Sequence, residues 1–152
     1  MVQYQATQLG VIKVTSVTRS NSDLYTDVVL NVALEIQNEI PVHGFIMIDV
    51  LASYQFEFKV NDGSKITCQN KLNSGNVIVC YIYTTFIKVT NLCGTNTKCS
   101  AGTKFELEVS SGIRNPIIAN EKSMKIYSSI LYKAQHGYID GLTSNILAIP
   151  KL

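Results

Sequence analysis

The chain has no tryptophan, three prolines and two histidines among its 152 residues. It also lacks several signatures that would name a function. There is no C-x-x-C pair, which removes the usual redox motif and the closely spaced cysteine ligands of a structural zinc site. No apolar run approaches the length of a membrane-spanning helix, so membrane insertion is not expected. No five like charges occur together, and the net charge is only +2. That leaves no electrostatic footprint for nucleic acid or for an anionic membrane surface. No N-x-[ST] acceptor is present, so N-linked glycan is not expected. The opening "MVQYQATQLG" has neither the basic nor the apolar region of a signal peptide.

What remains is apolar and strongly patterned. Hydrophobic residues make up 46% of the chain and charged residues 16%, which excludes a disordered polymer and supplies a core for one domain, residues 1–152. Alternation of period two recurs along the sequence. In "LNVALEIQ", Leu30, Val32, Leu34 and Ile36 face one way and Asn31, Glu35 and Gln37 the other. In "YQFEFKV", Tyr54, Phe56, Phe58 and Val60 oppose Gln55, Glu57 and Lys59. In "KFELEV", Phe105, Leu107 and Val109 oppose Lys104, Glu106 and Glu108. Such runs predict strands with one buried and one wet face. Further strands are predicted at Val11–Thr18, Phe45–Val50, Lys65–Gln69, Val77–Tyr83, Phe86–Thr90, Met124–Ser128 and Asn145–Ile149, all rich in strand formers. "NDG", "NSG", "CGTN" and "RNP" supply turns between them. No sustained helical stripe occurs; "SSILYKAQ" comes nearest and is too short. Roughly eight to ten short strands predict an all-β, immunoglobulin-like antiparallel β-sandwich, with a closed barrel as the alternative.

The four cysteines, Cys68, Cys80, Cys93 and Cys99, allow three pairings. Cys68 and Cys80 are equidistant from Ser74, at the middle of "NSG". A hairpin centred there would set them opposite each other on neighbouring strands, with Cα atoms roughly 4.5–5.5 Å apart. Cys93 and Cys99 are likewise equidistant from Asn96. The expected disulfides are therefore Cys68–Cys80 and Cys93–Cys99, each worth about 2–3 kcal/mol through the loop it closes. Free thiols in a cytosolic domain and a metal site are the weaker readings. A pair of disulfides would place the chain in an oxidising compartment, secreted or at the cell surface.

Spaced segments then line up in a recognisable order. "NEIPVHGFIMIDV" (Asn38–Val50) precedes the two cysteine pairs. "CSAGTKFELEVSSGIRNP" (Cys99–Pro116), "KSMKIYSS" (Lys122–Ser129) and "HGYIDGLT" (His136–Thr143) follow. This order resembles an immunoglobulin-like repeat unit of large secreted or surface tandem-repeat proteins of ciliates, over roughly Gly10 to Ile149. The most specific part is Gly102–Phe105 leading into Gly112-Ile113-Arg114-Asn115-Pro116. Two features depart from that pattern. A double glycine after Ile40-Pro41 is reduced to Gly44 preceded by His43, and "DVLASY" stands where a proline often ends the next strand. The resemblance implies a structural or adhesive role outside the cell, built from modules strung head to tail.

Both termini read as strand-like, as if cut from a continuing chain. The expected interface residues are Ile40, Pro41 and Gly44 in one loop, Ile113, Asn115 and Pro116 in another, and Ile146 and Ile149 in the last strand. The expected partners are neighbouring copies or repeats, with a glycan as a second class. Neither cofactor nor metal is expected.

Catalysis finds little support. His43, Asp49 and Ser53 are the closest acid, base and hydroxyl, but no nucleophile motif surrounds them. His136 and Asp140 are four residues apart, but Gly137 and Gly141 make that stretch a turn, and neither it nor "NDGS" has the clustered oxygens of a calcium loop. Tyr81 and Tyr83 share a strand face with Val77 and Val79. Core packing, a subunit contact or a sugar platform would each use such a face.

Overall fold

The structure is a computed structural model that describes residues 10–49, 56–83, 86–117, 125–132 and 135–142. Alternation of side chains sets the architecture. Thirteen strands follow one another, and no helix occurs among the described residues. They are β1 (Gly10–Val11), β2 (Lys13–Arg19), β3 (Leu30–Glu35), β4 (Phe45–Asp49), β5 (Glu57–Phe58), β6 (Lys65–Ile66) and β7 (Cys68–Asn70). Then come β8 (Val79–Tyr83), β9 (Phe86–Thr90), β10 (Lys104–Val109), β11 (Ile113–Arg114), β12 (Lys125–Tyr132) and β13 (Gln135–Leu142). One sheet runs β1-β13-β12-β4-β9-β8-β6 and a second runs β2-β3-β10-β7; β11 and β5 form a two-stranded sheet. Every pairing is antiparallel except that of β1 with β13.

The two larger sheets share one core. Leu30, Val32 and Leu34 of β3 and Phe105, Leu107 and Val109 of β10 are buried in the same cluster as Ile46, Ile48, Cys80, Ile82, Ile87 and Val89 of the other sheet. Each is a position that the two-residue period turns inward. The strand β4 also buries its other face. Phe45 is 2% exposed, and the Lys88 ammonium lies 4.4 Å from its ring centroid. The charged head group itself sits over the ring face, a cation–π contact.

Two predicted strands divide. The run Lys65–Gln69 pairs with β8 as far as Ile66 and with β10 from Cys68 onward. Thr67 is the crossing point: its N–H donates to Ser111 Oγ at 2.8 Å and its carbonyl accepts from Ser110 at 3.0 Å. Neither bond belongs to either ladder, so the chain changes sheet there. Val11–Thr18 divides in the same way at Ile12, which is fully buried.

Other expectations need correction. "HGYIDGLT" contains two glycines and reads as a turn, yet Gln135–Leu142 is a strand paired along its length with β12. Arg114 in "RNP" belongs to β11, whose ladder partner is β5, and its guanidinium meets Glu57 at 3.1 Å. "SSILYKAQ", too short for a helix, begins inside β12, in keeping with an all-β chain. Long-range pairing overrides local turn chemistry in "HGYIDGLT" and "RNP". The predicted strand Asn145–Ile149 lies outside the described residues.

Candidate functional site

Register separates the loops into two ends. Lys104 pairs with Glu35 and Val109 with Leu30, so the loops after β3 and before β10 share one end. The loops after β10 and before β3 share the other. The Ile40–Gly44 turn lies at the first end and the Gly112–Ile117 segment at the second.

At the first end, Ile40 and Cys99 exchange two backbone hydrogen bonds of 2.9 Å. The turn after Ile40 closes with Gly44 N–H donating to the Pro41 carbonyl at 2.9 Å and places His43 at φ +69°. Facing it is the loop from Asn91 to Cys99, closed by the Cys93–Cys99 disulfide with a Cα separation of 5.5 Å. Asn91, Gly94 and Asn96 all have positive φ in that loop. Asn76 anchors its start, donating from Nδ2 to the carbonyls of Asn91 at 3.1 Å and Leu92 at 2.7 Å. Between turn and loop lies a cavity of about 290 Å³ whose lining includes Lys88, His43, Thr90, Asn91, Asn96 and Thr97, with Ile40 and Leu92 as apolar walls. No Asp or Glu lines it. Nearby Glu39 is paired with Lys98 at 2.9 Å.

At the second end, Asn115 is fully buried and ties three stretches together. Its Nδ2 donates to the carbonyls of Asn21 at 2.9 Å and Asp23 at 2.8 Å, and its Oδ1 accepts from Arg19 Nη1 at 2.6 Å. Burial lowers the Arg19 guanidinium to about 10, which leaves it charged at neutral pH. Its charge also lies 4.5 Å from the centroid of the Phe56 ring. The large hydrophobic side chains exposed at this end are Tyr25, on which Arg114 stacks at 3.9 Å, and Ile117.

The structure therefore places Ile40, Gly44, Ile113, Asn115 and Pro116 inside the chain, where they hold loop shapes. Pro41 is half-buried. Surface contact at these ends falls to neighbours such as His43 and Ile117. Ile146 and Ile149 lie outside the described residues, as does Ser53. His43 and Asp49 flank β4 at opposite ends, about 20 Å of extended chain apart, so they do not converge. "NDGS" is a tight turn in which Ser64 N–H donates to Asn61 at 3.1 Å and Gly63 N–H to Ile82 at 2.6 Å. Among the described residues no group of three or more His, Cys, Asp or Glu side chains could hold a metal ion, and no helix could cross a membrane.

Both disulfides form as paired in the sequence reading. The geometry of the first is different from that expected. Cys80 faces Ile66 across its ladder, and Cys68 faces Val109 in the other sheet. The bond thus joins the two sheets where the chain crosses between them, with a Cα separation of 6.2 Å. Two disulfides in a small β protein are compatible with an extracellular setting.

Tyr81 and Tyr83 lie on the outer face of β8, their ring centroids 6.2 Å apart, and Phe86 stacks on Tyr83 at 5.9 Å. Tyr83 is 37% exposed and Val77 71%. Compared with protein-family models, with curated proteins and with solved structures, the chain has no match.

Proposed function

We propose that this chain is an immunoglobulin-like structural module of a secreted or cell-surface protein, assembling head to tail with neighbouring copies or repeats and performing no catalysis. The observation that carries this reading is the placement of its two loop sets. The Ile40–Gly44 turn and the Gly112–Ile117 segment occupy opposite ends, and β1 and β13 run in the same direction. A chain that enters and leaves along one direction suits a row of modules that touch only their neighbours.

Strand order supports the immunoglobulin-like part. In that fold the first, second and fifth strands lie in one sheet beside the fourth, and the third, sixth and seventh lie in the other. Here β2-β3-β10-β7 form one sheet and β4, β12 and β13 adjoin in the other. The departure is that β7 precedes β8 and β9 in the chain, where the extra strands of a variable-type domain would come first. Edge design favours docking through loops over strand addition. The exposed edge of the smaller sheet at β2 carries a bulge between Val14 and Ser16, with Lys13 and Arg19 at its ends, and β6 and β7 are only two and three residues long. Short, bulged and charged edges resist pairing with another strand.

Sedimentation velocity of the oxidised chain across a concentration series, followed by electron microscopy, tests the assembly. Growth into linear arrays of evenly spaced beads, weakened by Ile117→Glu, is expected. Dispersed single particles at every concentration would sink the head-to-tail reading. A second reading, an adhesion or carbohydrate-binding module, is favoured by the partly exposed Tyr81–Tyr83–Phe86 rings, and binding of neutral oligosaccharides lost in Tyr83→Ala would support it.

A further inference from the structure

The cavity at the first end has a chemical character that neither reading above uses. Its lining brings one ammonium, Lys88, and one imidazole, His43, to a concave surface that contains no carboxylate. Among the described residues, the contacts of the Lys88 ammonium are to the Phe45 ring at 4.4 Å and the Tyr83 ring at 5.4 Å. These rings fix where the charge sits, and they neutralise none of it. A lysine head group carries three donors and no acceptor. Held this way beside a cavity, it presents a preorganised donor for an anion.

The other polar groups are of a different type. Thr90 Oγ1 donates to the Val79 carbonyl at 2.9 Å, Thr97 Oγ1 to Thr95 at 3.1 Å and Asn91 Nδ2 to Val77 at 2.6 Å. Each of these donations leaves an oxygen with acceptor capacity. A bare carboxylate could not use acceptors; a ligand with hydroxyl groups could. Ile40 and Leu92 supply apolar walls. The volume of about 290 Å³ is at the lower end of small-molecule sites, roughly 300–1,000 Å³. A phosphate or sulfate dianion generally meets an arginine fork or a converging set of backbone N–H groups; here one ammonium dominates, which matches a single negative charge.

The cavity is also built with care. Of the four non-glycine residues with positive φ among the described residues, three, His43, Asn91 and Asn96, line it together with Gly94 at φ +116°. Left-handed backbone at non-glycine residues is uncommon and concentrates where a loop shape is held for use. The Cys93–Cys99 disulfide and the Ile40–Cys99 backbone bonds hold both walls to one strand edge. Little ordering remains to be done when a ligand arrives.

We propose that this cavity binds a carboxylated monosaccharide, free or as the terminal residue of a glycan, with Lys88 meeting the carboxylate and Thr90, Asn91 and Thr97 accepting from its hydroxyls. The proposal is independent of head-to-tail assembly, and it shares with the ring face on β8 only Tyr83, whose ring helps hold the Lys88 ammonium.

The test is a ¹H–¹⁵N correlation titration of the oxidised chain with N-acetylneuraminate and with glucuronate, using glucose as the neutral control and acetate as the bare anion. Saturable shifts of Gly44, Asn91 and Gly94 with an acid sugar, weaker by about tenfold or more in Lys88→Gln, are expected. Asn96→Asp places a like charge at the cavity while keeping a residue that tolerates its left-handed backbone, and it should abolish binding; an unchanged spectrum elsewhere shows that the fold persists. A site glycan gives the same shifts when an oligosaccharide ending in the acid sugar replaces the monosaccharide. Absence of shifts at millimolar acid sugar overturns the proposal. So do equal shifts with glucose or acetate, and so does undiminished binding in both variants.

Discussion

A β-carbon on Gly112 would lie 2.5 Å from Cγ2 of Ile66, inside any permitted carbon–carbon contact. Gly112 also has φ +81°, a region that L side chains rarely adopt. It belongs to the segment that leads β10 into β11, while Ile66 is the last residue of β6 before the chain changes sheet. Gly112→Ala is expected to destabilise the chain by about 2–4 kcal/mol, combining overpacking with backbone strain. The steric part is removable. In urea denaturation, Gly112→Ala combined with Ile66→Ala should fall less than the sum of the single losses; strict additivity would show that the contact is not the cause.

Asn115 supports the second end through hydrogen bonds alone. Its substitution by Ala strands the carbonyls of Asn21 and Asp23 and leaves Arg19 without its 2.6 Å acceptor. A loss of about 3 kcal/mol is expected, with faster amide exchange confined first to the 20–27 loop. Asn115→Asp keeps an acceptor for Arg19 but sets a carboxylate oxygen against the Asn21 and Asp23 carbonyls, so it should recover little of the Ala loss.

The two disulfides should differ in weight. They span sequence separations of 12 and 6. Loop closure then gives about 3 kcal/mol for Cys68–Cys80 and about 2 kcal/mol for Cys93–Cys99. Denaturation of Cys68→Ala/Cys80→Ala and Cys93→Ser/Cys99→Ser chains measures both. The second variant should keep its core and lose the shape of the first-end cavity, visible as shifts at Gly94 and Asn96. An equal global loss from the two would contradict this division.

Glu108 links stability to acid. Its carboxylate accepts from Gln69 at 2.8 Å and from Lys71 at 3.1 Å, and these hydrogen bonds hold its pKa below the ordinary 4.5. A carboxyl group with a lowered folded pKa contributes stability that is present above its unfolded pKa and is lost as pH falls through the folded one. Glu108→Gln should therefore flatten the stability profile in the acid range below pH 4.5, leaving the profile above neutrality unaltered in shape. Urea midpoints at a series of pH values decide this.

Much of the sheet structure could be read from the sequence because alternation reports burial directly. β3, β9 and β10 emerged where Leu30, Ile87 and Phe105 begin their inward-facing series. The crossings at Ile12 and Thr67 did not, since a residue that leaves one ladder for another has the same strand propensity as its neighbours. The pairing of Cys68 with Cys80 followed from symmetry about Ser74, but the two do not face each other in one ladder: β6 and β8 pair across that turn, and Cys68 has already crossed to the other sheet. The cavity was less visible still. It depends on a bridge between Ile40 and Cys99, far apart in sequence, and on left-handed backbone at His43, Asn91 and Asn96. Of these only the asparagines carry a local hint, since that residue type enters such backbone more readily than most.

The parallel neighbours β1 and β13 give the molecule a mechanical direction. Gly10 and Val11 lie beside Asp140 and Gly141, with both strands pointing the same way. Tension drawing the chain back from Gly10 and forward from Leu142 pulls the two strands along their common axis in opposite senses. The hydrogen bonds between them lie across that axis, so they are loaded together in shear instead of opening one after another. The crossing at Ile12 adjoins this patch, while the crossing at Thr67 and the Cys68–Cys80 bond tie the sheets together at the opposite edge. A chain drawn taut in this way is loaded first at β1 and β13, before the described core between the sheets feels the force.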